Sequence, residues 1–260
     1  MSALQTVVVS RQGHVATILL NRPESLNSFN RVLRCELYEA LQSVASNSDI
    51  RVVVLGGVGR GFSSGADLNE GLLPGQTVDG ILMDEYWPTL KLLADMDQTV
   101  IAANPGVMAG IGCAFALNCD LSVMAEQGSM IMAFTNIGLV PDGGLTSILI
   151  QKLGYQRAYK LIAEGGRLDA QGCLDAGLIT RLAPAENVLE TAQQWAAELA
   201  QRPPIALREA KQLLRNASTQ SYAEVVVAEA KAQIRCIATE DSQEAVLAFI
   251  EKRSAVFWGR

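Results

Sequence analysis

The chain is poor in the groups that hold metals and in the charge that attracts nucleic acid. Its 260 residues include a single histidine, His14, and five cysteines, Cys35, Cys113, Cys119, Cys173 and Cys236, none in a C-x-x-C pair. No metal site is expected, and the odd, scattered cysteines read as reduced, small apolar fillers. Lysine and arginine number 21 against 27 aspartates and glutamates, for a net charge of -6. A general nucleic-acid binder would be basic, so nucleic acid is not an expected partner. The apolar stretches are too short or too interrupted to span a bilayer, so no membrane partner is expected. No basic stretch leading into an apolar run opens the sequence, so no signal peptide is read and a cytoplasmic location is expected.

What is present is a core-forming composition, 49% hydrophobic and 18% charged. The length suits one large domain, or one domain with a small appendage. Thr6–Ser10 and His14–Leu20 are β-rich runs around Arg11-Gln12-Gly13 and predict a hairpin. Asn30 is placed to cap a helix whose apolar stripe is Leu33, Leu37, Leu41 and Val44. Arg51–Leu55 and Thr99–Ala103 are continuous apolar strands, as in a sheet covered on both faces. A glycine-rich loop over 56–65 follows the first, Tyr86–Met96 reads as helix, and Leu121–Ala125 and Met130–Ala133 are two short strands. Alternating strands and helices imply an α/β fold with a largely parallel sheet. Beyond Pro203-Pro204 the chain turns helical, with capping-box patterns at Ser221-x-x-Glu224 and Asp241-x-x-Glu244. The boundary is placed near residue 200: a core over 1–200 and a helical region over 201–260.

Two segments carry candidate chemistry. In Phe62–Leu68 (FSSGADL), Gly65 and Ala66 let backbone approach a ligand, and Asp67 is placed to cap a following helix. In Gly106–Asp120 (GVMAGIGCAFALNCD), Gly110-Ile111-Gly112 follows a strand and opens an apolar helix. Two such amide groups can converge on one oxygen. Each segment alone is also an ordinary strand-to-helix turn. A dinucleotide fingerprint fails at Phe115, and no G-x-x-x-x-G-K-[ST] occurs.

Together these segments resemble two signatures of the crotonase (enoyl-CoA hydratase/isomerase) superfamily. The resemblance begins at Leu20-Asn21-Arg22-Pro23 and Leu26-Asn27, continues through Ile137-Gly138-Leu139-Val140-Pro141, and ends at Ala248-Phe249-Ile250-Glu251-Lys252-Arg253. It implies a spiral of β-β-α turns with a C-terminal helical region used in homotrimers or hexamers. The implied substrate is an acyl-CoA, whose coenzyme A is part of the thioester; no other cofactor is implied. By the same resemblance, the amides of Ala66 and Ile111 form the oxyanion hole. Leu26, Ser64 and Ala66 then lie along the coenzyme A groove, Gly65, Asp67, Leu68, Gly110, Ala114 and Phe134 complete the expected substrate-binding set, and Lys252 matches a lysine that approaches a coenzyme A phosphate.

The resemblance also isolates one acid. Hydratases of the family use two glutamates to hold and activate water, and the matching positions here are Ala114 and Phe134. Neither can hold or deprotonate water, so simple hydration is not expected. Asp142 resembles the single acid of enoyl-CoA isomerases and of epoxyphenylacetyl-CoA isomerase. The expected reaction is a 3-enoyl to 2-enoyl shift, with Asp142 as base in an apolar surround of Ala114, Phe134, Leu139 and Val140 that raises its pKa. A Pro-Asp-Gly-Gly turn is the structural alternative. The functional alternatives are epoxide isomerisation, a hydrolase or dehalogenase reaction, and non-catalytic acyl-CoA binding. Glu70 and Glu85 read as solvated, Glu85 also as a weak partner for the base. Asp120 reads as structural, and Trp87, Trp195 and Trp258 as packing residues.

Overall fold

The structure is a computed structural model and describes residues 4–260. Strands β1 (Val7–Gln12) and β2 (Val15–Leu20) form the antiparallel hairpin, turning at Gly13 with φ 56°. Asn30 caps helix α1 (Arg31–Ala45) by accepting from the Leu33 N–H at 2.9 Å, and Leu33, Leu37, Leu41 and Val44 are buried.

Three turns of strand, strand and helix follow. The first runs β3 (Val52–Gly57), β4 (Gly61–Ser63), a short helix α2 (Val78–Gly80), a π-helical stretch Ile81–Tyr86 and α3 (Trp87–Asp95). The second is β5 (Thr99–Asn104), β6 (Val107–Ala109) and α4 (Ile111–Leu117). The third is β7 (Leu121–Ala125), β8 (Ser129–Ile131) and α5 (Leu145–Leu153). The chain continues through α6 (Tyr155–Ala163), β9 (Arg167–Asp169), α7 (Ala170–Asp175), β10 (Arg181–Ala183) and α8 (Val188–Leu199).

The first strands of these turns build a six-stranded sheet of order β1-β2-β3-β5-β7-β10, parallel from β2 onward. The second strands build a four-stranded sheet of order β4-β6-β8-β9. The period-2 alternation of a strand divides the core. Val53 and Leu55 of β3 face a cluster with α1 and α4, whereas Val52 and Val54 face α8 through Val188, Ala192 and Ala196. This double coverage explains why β3 and the centre of β5, residues 100–103, are apolar. Strands β4 and β6 escape the sequence reading because three residues inside glycine-rich segments show no periodicity.

Helices α9 (Pro204–Ala217), α10 (Tyr222–Ile237) and α11 (Glu240–Glu251) form the C-terminal region. Its tie to the core is polar. The Lys211 ammonium, buried on α9, donates to the Leu93 and Gln98 carbonyls at 3.3 and 2.8 Å and pairs with Asp120 at 2.9 Å. Arg215 reaches the same carboxylate at 2.7 Å. Asp120 is thus a structural residue, as expected. The capping box at Ser221 and Glu224 is present. The one expected at Asp241 is not: Thr239 caps α11, and the buried Asp241 accepts instead from the Trp258 and Gly259 amides at 2.6 and 2.9 Å. Trp87 and Trp258 are half exposed rather than packed, while Trp195 lies beneath the Arg181 guanidinium, 3.6 Å from its ring centre.

Candidate active site

Ala66, Ile111 and Asp142 follow the second strands of the three consecutive turns. Because β4, β6 and β8 are neighbours in one sheet, the three loops emerge side by side. The first two touch at their glycines. A Cβ on Gly65 would stand 3.4 Å from Gly110 Cα, and one on Gly110 would stand 3.5 Å from Gly65 Cα and 3.9 Å from Phe134 Cζ. Both glycines have positive φ, 101° and 53°, which side-chain-bearing residues rarely adopt. The third loop closes on the second. A Cβ on Gly143 would stand 2.6 Å from both Ala114 Cβ and Ile111 Cδ1, so glycine is what permits the residue after Asp142 to rest on the first turn of α4.

Backbone hydrogen bonds zip segment 26–29 to segment 64–67. Ser64 donates to the Leu26 carbonyl at 2.8 Å, Phe29 to that of Gly65 at 2.8 Å, and Asp67 to that of Phe29 at 3.1 Å. Leu26 and Asn27 both have positive φ, 51° and 56°, a strained conformation held here by the surrounding bonds. The Asn27 amide donates to the Val58 and Gly61 carbonyls, and its oxygen accepts from the Arg22 N–H. The amides of Ala66 and Ile111 are left over and donate to no acceptor among the described residues. Ile111 opens α4, where a first-turn amide has no helical partner.

Asp142 supplies the complementary group. Its Oδ1 is buried and has no hydrogen-bond partner among the described residues. Burial pushes its carboxyl up to about 6, which favours the protonated form and makes the ionised form a stronger base. The enclosing residues differ from those expected. Ala114 and Phe134 are buried, but Leu139 and Val140 are 53% and 77% exposed. The Asp142 loop instead packs towards Ile111, Ala114 and Leu90, whose Cδ1 stands 3.4 Å from a Cβ on Gly143.

Three acids, the histidine, a lysine and a leucine lie around or away from this centre. Asp67 caps no helix; it pairs with Arg22 at 2.9 Å, accepts from Ser28 and turns back to the Asn69 N–H. Burial works against its charge, but these partners hold its carboxyl below the usual range. Glu70 and Glu85 are not solvated faces. Both grip the buried Arg34 guanidinium, at 2.9 and 2.8 Å, and Gln76 donates to Glu85. That engagement removes Glu85 as a partner for the base. His14 is exposed on the hairpin, with Nδ1 2.8 Å from the Asp49 carbonyl. Lys252, in the left-handed conformation after α11, is exposed and forms no ion pair among the described residues. Leu68, in the first loop, is 74% exposed.

Sequence reasoning missed Arg34 and Tyr86. Arg34 shares the buried face of α1 with Leu37 and Leu41, and its guanidinium stands 5.2 Å from the centre of the Tyr86 ring. Tyr86 is 4% exposed. Its place before an apolar helix reads as packing, and nothing local reports a buried hydroxyl.

Comparison with known proteins supplies the family. A family model described as enoyl-CoA hydratase/isomerase matches residues 10–260. The chain is 36% identical to the 1,2-epoxyphenylacetyl-CoA isomerase of Escherichia coli, covering 95% of each chain. It is 34% identical to the 2,3-dehydroadipyl-CoA hydratase of the same organism, covering 99% of this chain and 100% of that one. The solved structure of an enoyl-CoA hydratase from Bacillus anthracis superposes with a TM-score of 0.92 at 32% identity, covering 98% of this chain and 100% of that one. The chain belongs to the enoyl-CoA hydratase/isomerase family, with its crotonase fold, and is an enzyme of the coenzyme A thioester hydratase/isomerase class. No helix among the described residues is long and apolar enough to cross a membrane.

Proposed function

We propose that the protein is an isomerase that moves the double bond of a 3-enoyl-CoA to the 2-enoyl position. The thioester oxygen sits between the amides of Ala66 and Ile111. Asp142 removes a proton from the carbon beside the thioester, the two amides hold the resulting enolate, and the protonated Asp142 returns the proton two carbons along. The observation that carries this reading is the buried, unpartnered Asp142 Oδ1 on the loop that rests against Ile111. Hydrocarbon at Ala114 and Phe134 supports it, because water has nothing to hold it there.

Leu26, Ser64, Gly65, Asp67, Leu68 and Gly110 form the wall along which coenzyme A extends, with Lys252 as the cation for one of its phosphates. The substrate brings the only coenzyme. A cytoplasmic homotrimer or hexamer accounts for the exposed apolar residues of the C-terminal helices, among them Ile234 at 71%, Phe249 at 84% and Ile250 at 70%. A second reading, epoxide isomerisation on an aryl-acetyl-CoA, is favoured by the similarity to the E. coli epoxyphenylacetyl-CoA isomerase and uses the same acid and amides.

Asp142→Asn tests the mechanism. The wild type should exchange substrate α-protons in deuterated water and convert at least one of 3-enoyl and epoxyphenylacetyl thioesters. The variant should lose turnover by about 100- to 10,000-fold while keeping its affinity for a non-reacting acyl-CoA. Undiminished exchange in the variant would remove Asp142 as the base.

A further inference from the structure

The proposed mechanism leaves unused a further unpartnered polar group near the site, the hydroxyl of Tyr86. This residue is 4% exposed, and its oxygen, like Asp142 Oδ1, has no hydrogen-bond partner among the described residues. The Arg34 guanidinium is the nearer charge on the phenol and the Asp142 charge acts on it as well; a guanidinium can only donate, so the phenol O–H is still without an acceptor.

The surroundings of Tyr86 adjoin all three loops of the site. Its ring meets Phe29 edge-on, with centres 6.0 Å apart, and lies 6.2 Å from Phe115. Phe29 is the bridge partner of Ala66, and Phe115 stands on α4 one turn after Ile111. Leu90, four residues after Tyr86 and so on the same helical face, packs over Gly143 beside Asp142. Tyr86 is also the last residue of the π-helical stretch Ile81–Tyr86, a distortion frequent at functional sites. Arg34, fixed by Glu70 and Glu85, holds the ring from one side.

A buried hydroxyl left unpaired costs about 1–3 kcal/mol. Phenylalanine would pack here without that cost, so the oxygen has to find its partner elsewhere. Burial pushes its pKa up to about 12; at neutral pH it is an O–H donor and not a base. The thioester oxygen is already assigned to two amides, which leaves the acyl group as the acceptor.

We infer that Tyr86 is a specificity-determining residue whose hydroxyl donates a hydrogen bond to an oxygen carried by the acyl group, so that the preferred substrates are oxygen-bearing acyl thioesters rather than plain hydrocarbon chains. This rests on the acyl-CoA reading above and narrows it: an enoyl chain with an oxygen substituent and an aryl epoxide both qualify. A site built around a substrate oxygen discriminates strongly against the analogue without it, because the protein donor is then stranded.

The test uses phenylacetyl-CoA and (2-hydroxyphenyl)acetyl-CoA, a matched pair that differs in one oxygen and has no bond for the enzyme to rearrange. Calorimetric titration of the wild type should show the hydroxylated thioester binding about 10-fold tighter or more. Tyr86→Phe should abolish that preference and leave phenylacetyl-CoA within about twofold of its wild-type affinity. The variant should melt close to the wild type, because the hydroxyl hydrogen has no acceptor in the protein and the Arg34 contact with the ring face remains. Equal binding of the two thioesters by the wild type overturns the inference alone, as does a variant that loses affinity for both alike. Failure of the wild type to bind either thioester overturns the acyl-CoA reading, and the inference with it. The wild-type comparison decides the matter even if the variant does not fold.

Discussion

Gly143 lies so close to Ala114 that a Cβ on the glycine would stand 2.6 Å from the Cβ of the alanine. The loop carrying Asp142 therefore occupies the space above the position where hydratases of this family carry their first glutamate. The close approach seats the loop on α4 and fixes the height of Asp142 over it.

Gly143→Ala should be severe. The residue has φ 60° and would collide with Ala114 and Ile111. The backbone strain alone is worth about 1–3 kcal/mol, and relief of the clash moves Asp142. Turnover should fall by about 100-fold, with acyl-CoA affinity changed far less. Steady-state kinetics and titration with a non-reacting thioester separate the two; a parallel loss in both would show a damaged binding site instead.

Hydration of crotonyl-CoA should be negligible. No carboxylate stands at 114 or 134, and water needs both a holder and a base. Loss of conjugated-thioester absorbance is the readout. Turnover near about 10 per second, ordinary for an enzyme, would refute this account of the site.

Stability and activity should move in opposite directions with pH. Burial holds the Asp142 carboxyl near about 6, above its ordinary 3.8. Ionising it therefore opposes folding: the penalty is absent below pH ~4, grows between ~4 and ~6, and is complete above that. Asp142→Asn should melt higher than the wild type at pH 8, by about 2–4 °C for each kcal/mol relieved, and at the same temperature at pH 4. Wild-type kcat/KM should rise through pH ~6 as the base ionises. Scanning calorimetry at both pH values checks the first, and a pH–rate profile the second. A variant less stable than the wild type at pH 8 would reverse the sign of the argument.

Lys211→Met should loosen the C-terminal helices. The ammonium is buried among two carbonyls and Asp120, and burial lowers its pKa against the pull of that carboxylate. Removing it strands these acceptors, although Arg215 still holds Asp120; the loss should be about 3 kcal/mol. Denaturant titration measures it. Light scattering of the wild type should give a mass well above 27.8 kDa if the apolar faces of α10 and α11 pair between subunits, and the variant should dissociate more readily.

Much of the fold was legible because it rests on periodicity. The hairpin, the α1 stripe with its Asn30 cap, and the buried β3 and β5 all announce themselves in patterns of two or of three to four residues. Strands β4 and β6 do not, being three residues long and set among glycines. In the site, the candidate backbone amides and Asp142 were identified through the family resemblance. What stayed hidden depends on distant partners: Arg34 drawing Glu70 and Glu85 inward, Asp67 spent on Arg22 instead of a helix, and Asp241 holding the backbone at Trp258. Leu139 and Val140 were misplaced for the same reason, since apolar character predicts burial only where a neighbour covers it.

The two candidate amides sit on loops held by main-chain bonds, one zipped to segment 26–29 and the other opening α4. A functional group made of backbone is nearly invisible to genetics. Most single-base changes at the exposed Ala66 alter the side chain and leave the N–H in place, so a screen for inactive alleles would pass over that codon; at the buried Ile111 it would register lost packing and not the amide. Proline is the exception, because it deletes the donor itself. Read through a saturation library, the exposed Ala66 would appear as a tolerant position at which proline is forbidden for a reason unrelated to its size, whereas the buried Ile111 would tolerate only apolar replacements and again refuse proline.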